Sequence, residues 1–172
     1  MTSKPHSLGI DIGRVLMCPS DDDARPDTSF LDLPDEQALA LPASPHVWEV
    51  VPELVRAFAG RVWLVSKAGA RIEALTRRWL AHQAFFDRVG LAEDAVRFCR
   101  RRPEKRIHAI ELGLTHFIDD RSDVLAALVG AVPHLYLFGA QREAVPTFAT
   151  HVADWSVARE VVLADLAPPA RS

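Results

Sequence analysis

The sequence predicts an α/β protein built on a doubly wound, mostly parallel sheet with helices on both of its faces. Apolar runs of strand length alternate along the chain with amphipathic segments of helical period, and the connections between them are short. The run VWLV at positions 62–65 is apolar throughout, which is typical of a strand buried in a parallel sheet. With 172 residues, 49% of them hydrophobic and 25% charged, the chain has the size and composition of one domain with its own core.

Hydrophobic spacing and the turn residues at segment ends define the individual elements. Strands are predicted at residues 7–12, 62–65, 95–98, 115–118 and 134–138. Helices are predicted at residues 46–58, 69–82, 103–112, 122–129 and 155–163. Ser44 and Pro45 predict the start of the first helix, and Gly60 predicts its end. Segment 85–89 stays ambiguous between helix and strand, and residues 164–172 are predicted to be a frayed tail.

Charge and cysteine content narrow the cellular context. The net charge of -3 gives no bulk attraction to nucleic acid or to an anionic membrane. Cys18 and Cys99 form neither a disulfide framework nor a CxxC pair, which favours a reducing compartment. No apolar core of a signal peptide follows the N-terminal residues MTSKPHS, and no uncharged apolar run has the roughly 20 residues of a membrane span. We therefore expect a cytoplasmic protein without a membrane partner.

Chemically active side chains follow the predicted strands. Asp11 follows the first strand, Ser66 follows VWLV, and the pair Asp119 and Asp120 ends the strand in THFIDD. Lys105 lies at the start of a predicted helix. The carboxyl ends of parallel strands meet at one edge of a sheet, and ligands bind there in open α/β folds. The sequence thus predicts that these groups converge on one site.

The type and order of these residues resemble the four motifs of the haloacid dehalogenase-like (HAD) hydrolase superfamily, which consists mostly of phosphatases and phosphotransferases. The resemblance covers residues 7–139, and it implies a Rossmann-like core. Substrate selection in this superfamily usually resides in cap insertions. Residues 16–44 are too few for a full helical cap, so we expect a minimal cap or flap within a single domain, 1–172.

The resemblance implies a role for each motif. Asp11 would attack phosphorus and form an aspartyl phosphate. Asp11, the backbone carbonyl of Gly13, Asp119 and Asp120 would hold Mg²⁺, since hard oxygen donors suit this ion.

The phosphoryl group would be bound by other residues. Ser66 and Lys105 would contact it directly, and backbone N–H groups after Asp11, including that of Gly13, would complete the cradle. Lys67 is the alternative phosphate lysine. Asp123 would orient a ligand or Lys105, unless it is an exposed acid in the first turn of a helix.

Gly13 departs from the common motif, which has a second aspartate two residues after the nucleophile to protonate the leaving group. A branch of the superfamily with DLGxV sequences also has glycine here, and loss of a general acid costs about 10²–10⁴-fold in rate. Three interpretations remain: a phosphatase of that branch, an enzyme for substrates with good leaving groups, or a catalytically weakened protein that binds a phosphorylated ligand.

Arginines precede the candidate lysine. The run Arg100 to Arg102, with Arg97 and Arg106, would suit a polyanion, and FIDDR resembles the matching motif of deoxyribonucleotidases and nucleic-acid-end phosphatases. The expected partner is a phosphorylated small molecule, with a protein-bound or nucleic-acid-end phosphate as the alternative. A minimal cap leaves the site open, so a second subunit of a homo-oligomer could close it.

Overall fold

The structure, a computed structural model, describes residues 5–17 and 33–167. Within these ranges the strands are β1 (Leu8–Ile10), β2 (Val62–Lys67), β3 (Val96–Cys99), β4 (His116–Asp119), β5 (His134–Phe138) and β6 (Thr150–Val152). The α-helices are α1 (Asp35–Leu39), α2 (Val47–Ala57), α3 (Ala70–His82), α4 (Phe85–Val89), α5 (Lys105–Glu111), α6 (Ser122–Leu128) and α7 (Trp155–Leu166). A short 3₁₀ helix, Arg102–Glu104, leads directly into α5. None of these helices combines the length and apolar character needed to cross a bilayer.

The six described strands form one open sheet in the order β3-β2-β1-β4-β5-β6, and every pair is parallel. The chain runs outward from β1 to β3, then returns to place β4 on the other side of β1. This reversal creates a topological switch point between β1 and β4, which is where ligands bind in Rossmann-like sheets. The predicted α/β class with a doubly wound parallel sheet is therefore confirmed.

Two apolar layers cover the sheet, one on each face. The first contains core residues of α2, α3, α4 and α7, and the second contains those of α5 and α6. Neighbouring residues of β2 divide between them, because successive side chains of a strand point to opposite faces: Leu64 belongs to the first layer and Val65 to the second. The sequence pattern of continuous apolar strands follows from this two-sided burial.

Gly9 marks a close approach within the central strand. A Cβ atom at this position would lie 2.5 Å from Cδ2 of Phe117 and 2.7 Å from Cδ1 of Leu114. Phe117 is the residue of β4 that pairs with Gly9 in the sheet. Any side chain at position 9 would clash with the Phe117 ring, so glycine is required for β1 and β4 to pair with Phe117 in this position.

Several boundaries differ from the predicted ones. β2 continues through Ser66 and Lys67, so both residues lie within the strand and not after it. Segment 85–89 is the helix α4. The predicted helix 103–112 is divided into the 3₁₀ turn and α5, and α7 continues to Leu166, where Asp165 accepts a 2.7 Å hydrogen bond from the Tyr136 hydroxyl. Residues 164–166 are thus helical and not part of a frayed tail.

Helix α2 begins at Val47, and His46, not Ser44, is the residue at its amino end. Ser44 contributes its carbonyl instead, which accepts from the Val47 amide. Of the predicted flap, residues 16–17 and 33–44 are described and include α1, and Met17 pairs with Ala43 in an isolated antiparallel bridge. The rest of the flap, Cys18 and residues 168–172 of the tail lie outside the described ranges.

Candidate functional site

The candidate site lies at the carboxyl edge of β1 and β4, on the two sides of the switch point. The Asp11 amide donates to the Ile118 carbonyl at 3.0 Å, which holds the residue after β1 against the end of β4. Asp119 is the last residue of β4, and Asp120 follows it. Asp11 and Asp119 are both buried, so the fold removes two carboxylates from bulk water at a single point.

Lys105 supplies the counter-charge from the helix layer. It is the first residue of α5 and is only 2% exposed. Its Nζ lies 2.7 Å from Asp11 Oδ1 and 2.7 Å from Asp119 Oδ2. The second oxygen of Asp119 accepts from the Arg121 amide at 3.0 Å. A buried ammonium and two carboxylates therefore form a hydrogen-bonded triad, the kind of network in which charge burial is compensated.

Titration behaviour follows from this packing. Burial lowers the pKa of Lys105, but the charges and hydrogen bonds of Asp11 and Asp119 more than offset it, so the net pKa of the ammonium is raised above its ordinary value. Burial raises the pKa of Asp119 to about 7, and the negative charge of Asp11 adds to the effect of burial while Lys105 opposes it. Lys105 stays protonated, and the cluster holds more negative charge than this lysine compensates.

The acidic cluster has a donor set that fits a hard divalent cation. Asp11, Asp119 and Asp120 each offer a carboxylate oxygen, and these oxygens lie within 4.8 Å of one another. All donors are oxygens, which suits Mg²⁺ better than zinc. Lys105 alone faces two of these carboxylates, Asp11 and Asp119, so a cation would also reduce the repulsion within the cluster.

Ser66 and Lys67 lie at the same edge of the sheet, near the end of β2, which neighbours β1. Strand alternation puts them on opposite faces. Ser66 is buried. Lys67 is exposed and lies on the same face of the sheet as Val65, which packs in the apolar layer of α5 and α6. Of the two candidate phosphate lysines, Lys105 contacts the candidate nucleophile, and Lys67 lies at the open rim.

The loop after Asp11 folds around the carbonyl of Ile12, which accepts from the amides of Leu16 at 2.9 Å and Met17 at 3.2 Å. A Cβ atom on Gly13 would meet no atom of residues 5–17 and 33–167 within 4 Å. Space for a longer side chain therefore exists two residues after the candidate nucleophile. Next to it, Arg14 places its Nε 3.3 Å from Asp120 Oδ2.

Sequence reasoning gave no role to Arg14 or to Glu104. The Glu104 carboxylate accepts from the amides of Arg100 and Arg101, both at 3.0 Å, and so fixes the turn from which Lys105 emerges. Asp123 lies in the first turn of α6, is largely exposed and accepts from Arg121 Nε at 2.9 Å. The sequence offers one signal for each residue: Arg14 follows a loop glycine, and Glu104 directly precedes a candidate lysine.

Arginines of the predicted basic patch form hydrogen bonds and ion pairs with neighbouring residues. Arg100 donates to the Ala68 carbonyl at 2.6 Å and pairs with Glu73, and Arg101 pairs with Glu104. Arg97 donates to the Asp94 carbonyl, and Arg106 donates to the carbonyls of Ala127 and Val129. These contacts give Arg97, Arg100, Arg101 and Arg106 a structural role.

Comparison with known proteins adds no relative: no protein-family model matches the sequence, and none of the curated proteins matches it.

Proposed function

We propose that this protein is a Mg²⁺-dependent phosphomonoester hydrolase related to the HAD-like hydrolases and that Asp11 is its nucleophile. The observation that carries the proposal is the Lys105 triad: a buried ammonium 2.7 Å from both Asp11 and Asp119 at the switch point of a parallel sheet. Ligands bind at this position in such sheets, and an anionic ester needs both a nucleophile and positive charge there.

The chemistry of the residues is as follows. Lys105 bonds Oδ1 of Asp11, and Oδ2 is the oxygen that attacks phosphorus. The new oxygen–phosphorus bond forms as the bond from phosphorus to the leaving oxygen breaks, and water then hydrolyses the aspartyl phosphate and regenerates Asp11. Lys105 and the Ser66 hydroxyl stabilise charge on the phosphoryl oxygens. A Mg²⁺ ion held by Asp11, Asp119, Asp120 and the Gly13 carbonyl would reduce repulsion between nucleophile and substrate.

Gly13 bears on the substrate class. Its position lacks a carboxylic acid that could protonate a leaving alcohol. Substrates with less basic leaving groups, such as acyl or anomeric phosphates, are therefore favoured over simple alkyl phosphates. The same observation supports the second candidate, a protein that binds a phosphorylated ligand and turns it over slowly.

Phosphate release from a panel of phosphomonoesters tests the proposal. The panel contains acetyl phosphate, glucose 1-phosphate, a nucleoside 5′-monophosphate and a 5′-phosphorylated oligonucleotide, each with Mg²⁺ and with EDTA. We expect Mg²⁺-dependent release, fastest with the first two, and loss of release in Asp11→Asn. Release that persists in Asp11→Asn would show that Asp11 is not the nucleophile.

Absence of turnover has a defined meaning. If no ester is hydrolysed but inorganic phosphate or its analogue vanadate binds with a dependence on Mg²⁺, the binding protein is the correct function. If neither turnover nor Mg²⁺-dependent anion binding occurs, both candidates are wrong.

A further inference from the structure

Arg14 combines an unusual backbone conformation with a contact to the acidic cluster. Its φ angle is 60°, in the left-handed region that glycine adopts freely and that costs an L-residue about 1–2 kcal/mol. Hydrogen bonds on both sides hold the loop in place: the Leu16 amide bonds the Ile12 carbonyl, and the Trp155 indole of α7 bonds the Val15 carbonyl at 2.9 Å. Strain of this kind persists where the surroundings enforce it, and it concentrates at functional sites.

The Arg14 guanidinium forms an ion pair with Asp120, one of the three clustered carboxylates. Asp11 and Asp119 share the buried Lys105, whereas Asp120 is paired with a side chain that is 35% exposed. A cation that takes an oxygen of Asp120 must compete with the guanidinium for the charge of this carboxylate, and the two positive charges repel each other.

We propose that Arg14 is a built-in competitor for Asp120: it neutralises this carboxylate before a divalent cation binds, weakens the affinity for the cation, and leaves Asp120 when the cation takes its place. Arg14 acts through Asp120 and is a positioning residue. The inference rests on the cation site of the proposed function. It goes beyond that function by identifying a residue that sets how much Mg²⁺ the site requires.

Mg²⁺ titration by calorimetry tests the inference without any need for a substrate. The variants are Arg14→Gln, which removes the charge, and Arg14→Lys, which keeps it. Both retain a side chain at a left-handed position, so backbone strain stays the same. We expect the Kd for Mg²⁺ to fall about 5- to 20-fold in Arg14→Gln and to change less than about 3-fold in Arg14→Lys.

Arg121→Gln is the matched control. Arg121 is exposed to a similar degree, 37%, and adjoins Asp120 in the chain, but it pairs with Asp123. Its removal reports the general effect of one positive charge at this rim, and we expect a smaller change in Kd than in Arg14→Gln. Equal effects in Arg14→Gln and Arg121→Gln would contradict direct competition.

Displacement of the guanidinium has its own readout. We expect the ¹⁵N and ¹H resonances of Arg14 Nε in the native protein to shift as Mg²⁺ saturates the site, because the ion pair with Asp120 is replaced. Mg²⁺ affinity that is unchanged or weaker in Arg14→Gln would overturn the inference and leave the cation site intact. Native protein that binds Mg²⁺ no better than Asp119→Asn would overturn the cation site of the proposed function and this inference with it.

Discussion

Lys105 is the residue on which the electrostatics of the site depend. Replacement by methionine keeps the length of the side chain but leaves Asp11 and Asp119 buried without their counter-charge. We expect Lys105→Met to lower the free energy of unfolding by about 3–5 kcal/mol in the presence of EDTA, as measured by urea denaturation. Lys67→Met is the matched control, because Lys67 is exposed, and it should change stability by less than about 0.5 kcal/mol. Loss of phosphate binding in Lys67→Met with unchanged stability would identify Lys67 as the phosphate lysine.

Gly13 is the residue whose replacement should increase function. No atom of the described residues lies within 4 Å of a Cβ atom built there, so the backbone at this position accepts a side chain without a clash at Cβ. If the rest of the machinery is intact, Gly13→Asp should raise the rate with alkyl phosphates by about 10²–10⁴-fold, since it restores a general acid. Gly13→Asn has nearly the same shape but no acidic proton, and it should give no such increase. An equal gain in both variants would mean that the effect is not acid catalysis.

At the scale of elements, the turn before α5 positions the site from outside it. The Glu104 carboxylate bonds two backbone amides and pairs with Arg101, and Lys105 is the next residue. We expect Glu104→Ala to lower the urea midpoint of unfolding and to reduce kcat, because the start of α5 loses its anchor. Glu111→Ala, at the other end of the same helix, is the control and should leave kcat unchanged. A native kcat in Glu104→Ala would show that the helix positions Lys105 without this turn.

The elements differ in how well the sequence could predict them. Strands buried on both faces, such as β2, have continuous apolar runs, and the helices with wide apolar faces, such as α2 and α3, show a clear period. β6 was missed because it is a three-residue edge strand in which only Val152 is buried, so it leaves almost no pattern. The convergence of Asp11, Lys105 and Asp119 was predictable from strand order alone.

The contacts of Arg14 and Glu104 were not predictable from local pattern. The left-handed φ of Arg14 depends on hydrogen bonds from distant residues, including Trp155 in the last helix. The capping role of Glu104 depends on a 3₁₀ turn whose Pro103 is equally compatible with the first turn of an ordinary helix. Tertiary structure determines both the backbone conformation of Arg14 and the contacts of Glu104, and the spacing of residues in one sequence does not reveal it.

At the scale of the whole molecule, the edge of the sheet opposite the candidate site contains a second group of ionisable residues. His116 begins β4 and is fully buried. Its ring stacks on that of His134 at 4.4 Å and meets those of His6 and Phe58 edge-on. Its Nδ1 is hydrogen-bonded to the Thr115 hydroxyl, and its buried Nε2 has no partner among the described residues. Burial, with the neighbouring histidines, lowers the pKa of His116 from 6.5 to about 3, although Asp165 opposes the shift.

This lowered pKa makes the stability of the fold depend on pH. Folded His116 stays neutral, whereas the unfolded chain binds a proton below its pKa of 6.5, so the contribution is complete above pH 6.5 and is lost progressively as the pH falls towards 3. We expect His116 alone to cost about 1.6 kcal/mol of unfolding free energy between pH 6.5 and pH 5. Urea denaturation at these pH values should show a shallower pH dependence in His116→Phe, which keeps an aromatic ring beside His134 but cannot bind a proton. His151→Gln, at an exposed histidine, should retain the native dependence. An equal dependence in His116→Phe and native protein would mean that the pKa of His116 is the same in the folded and unfolded protein.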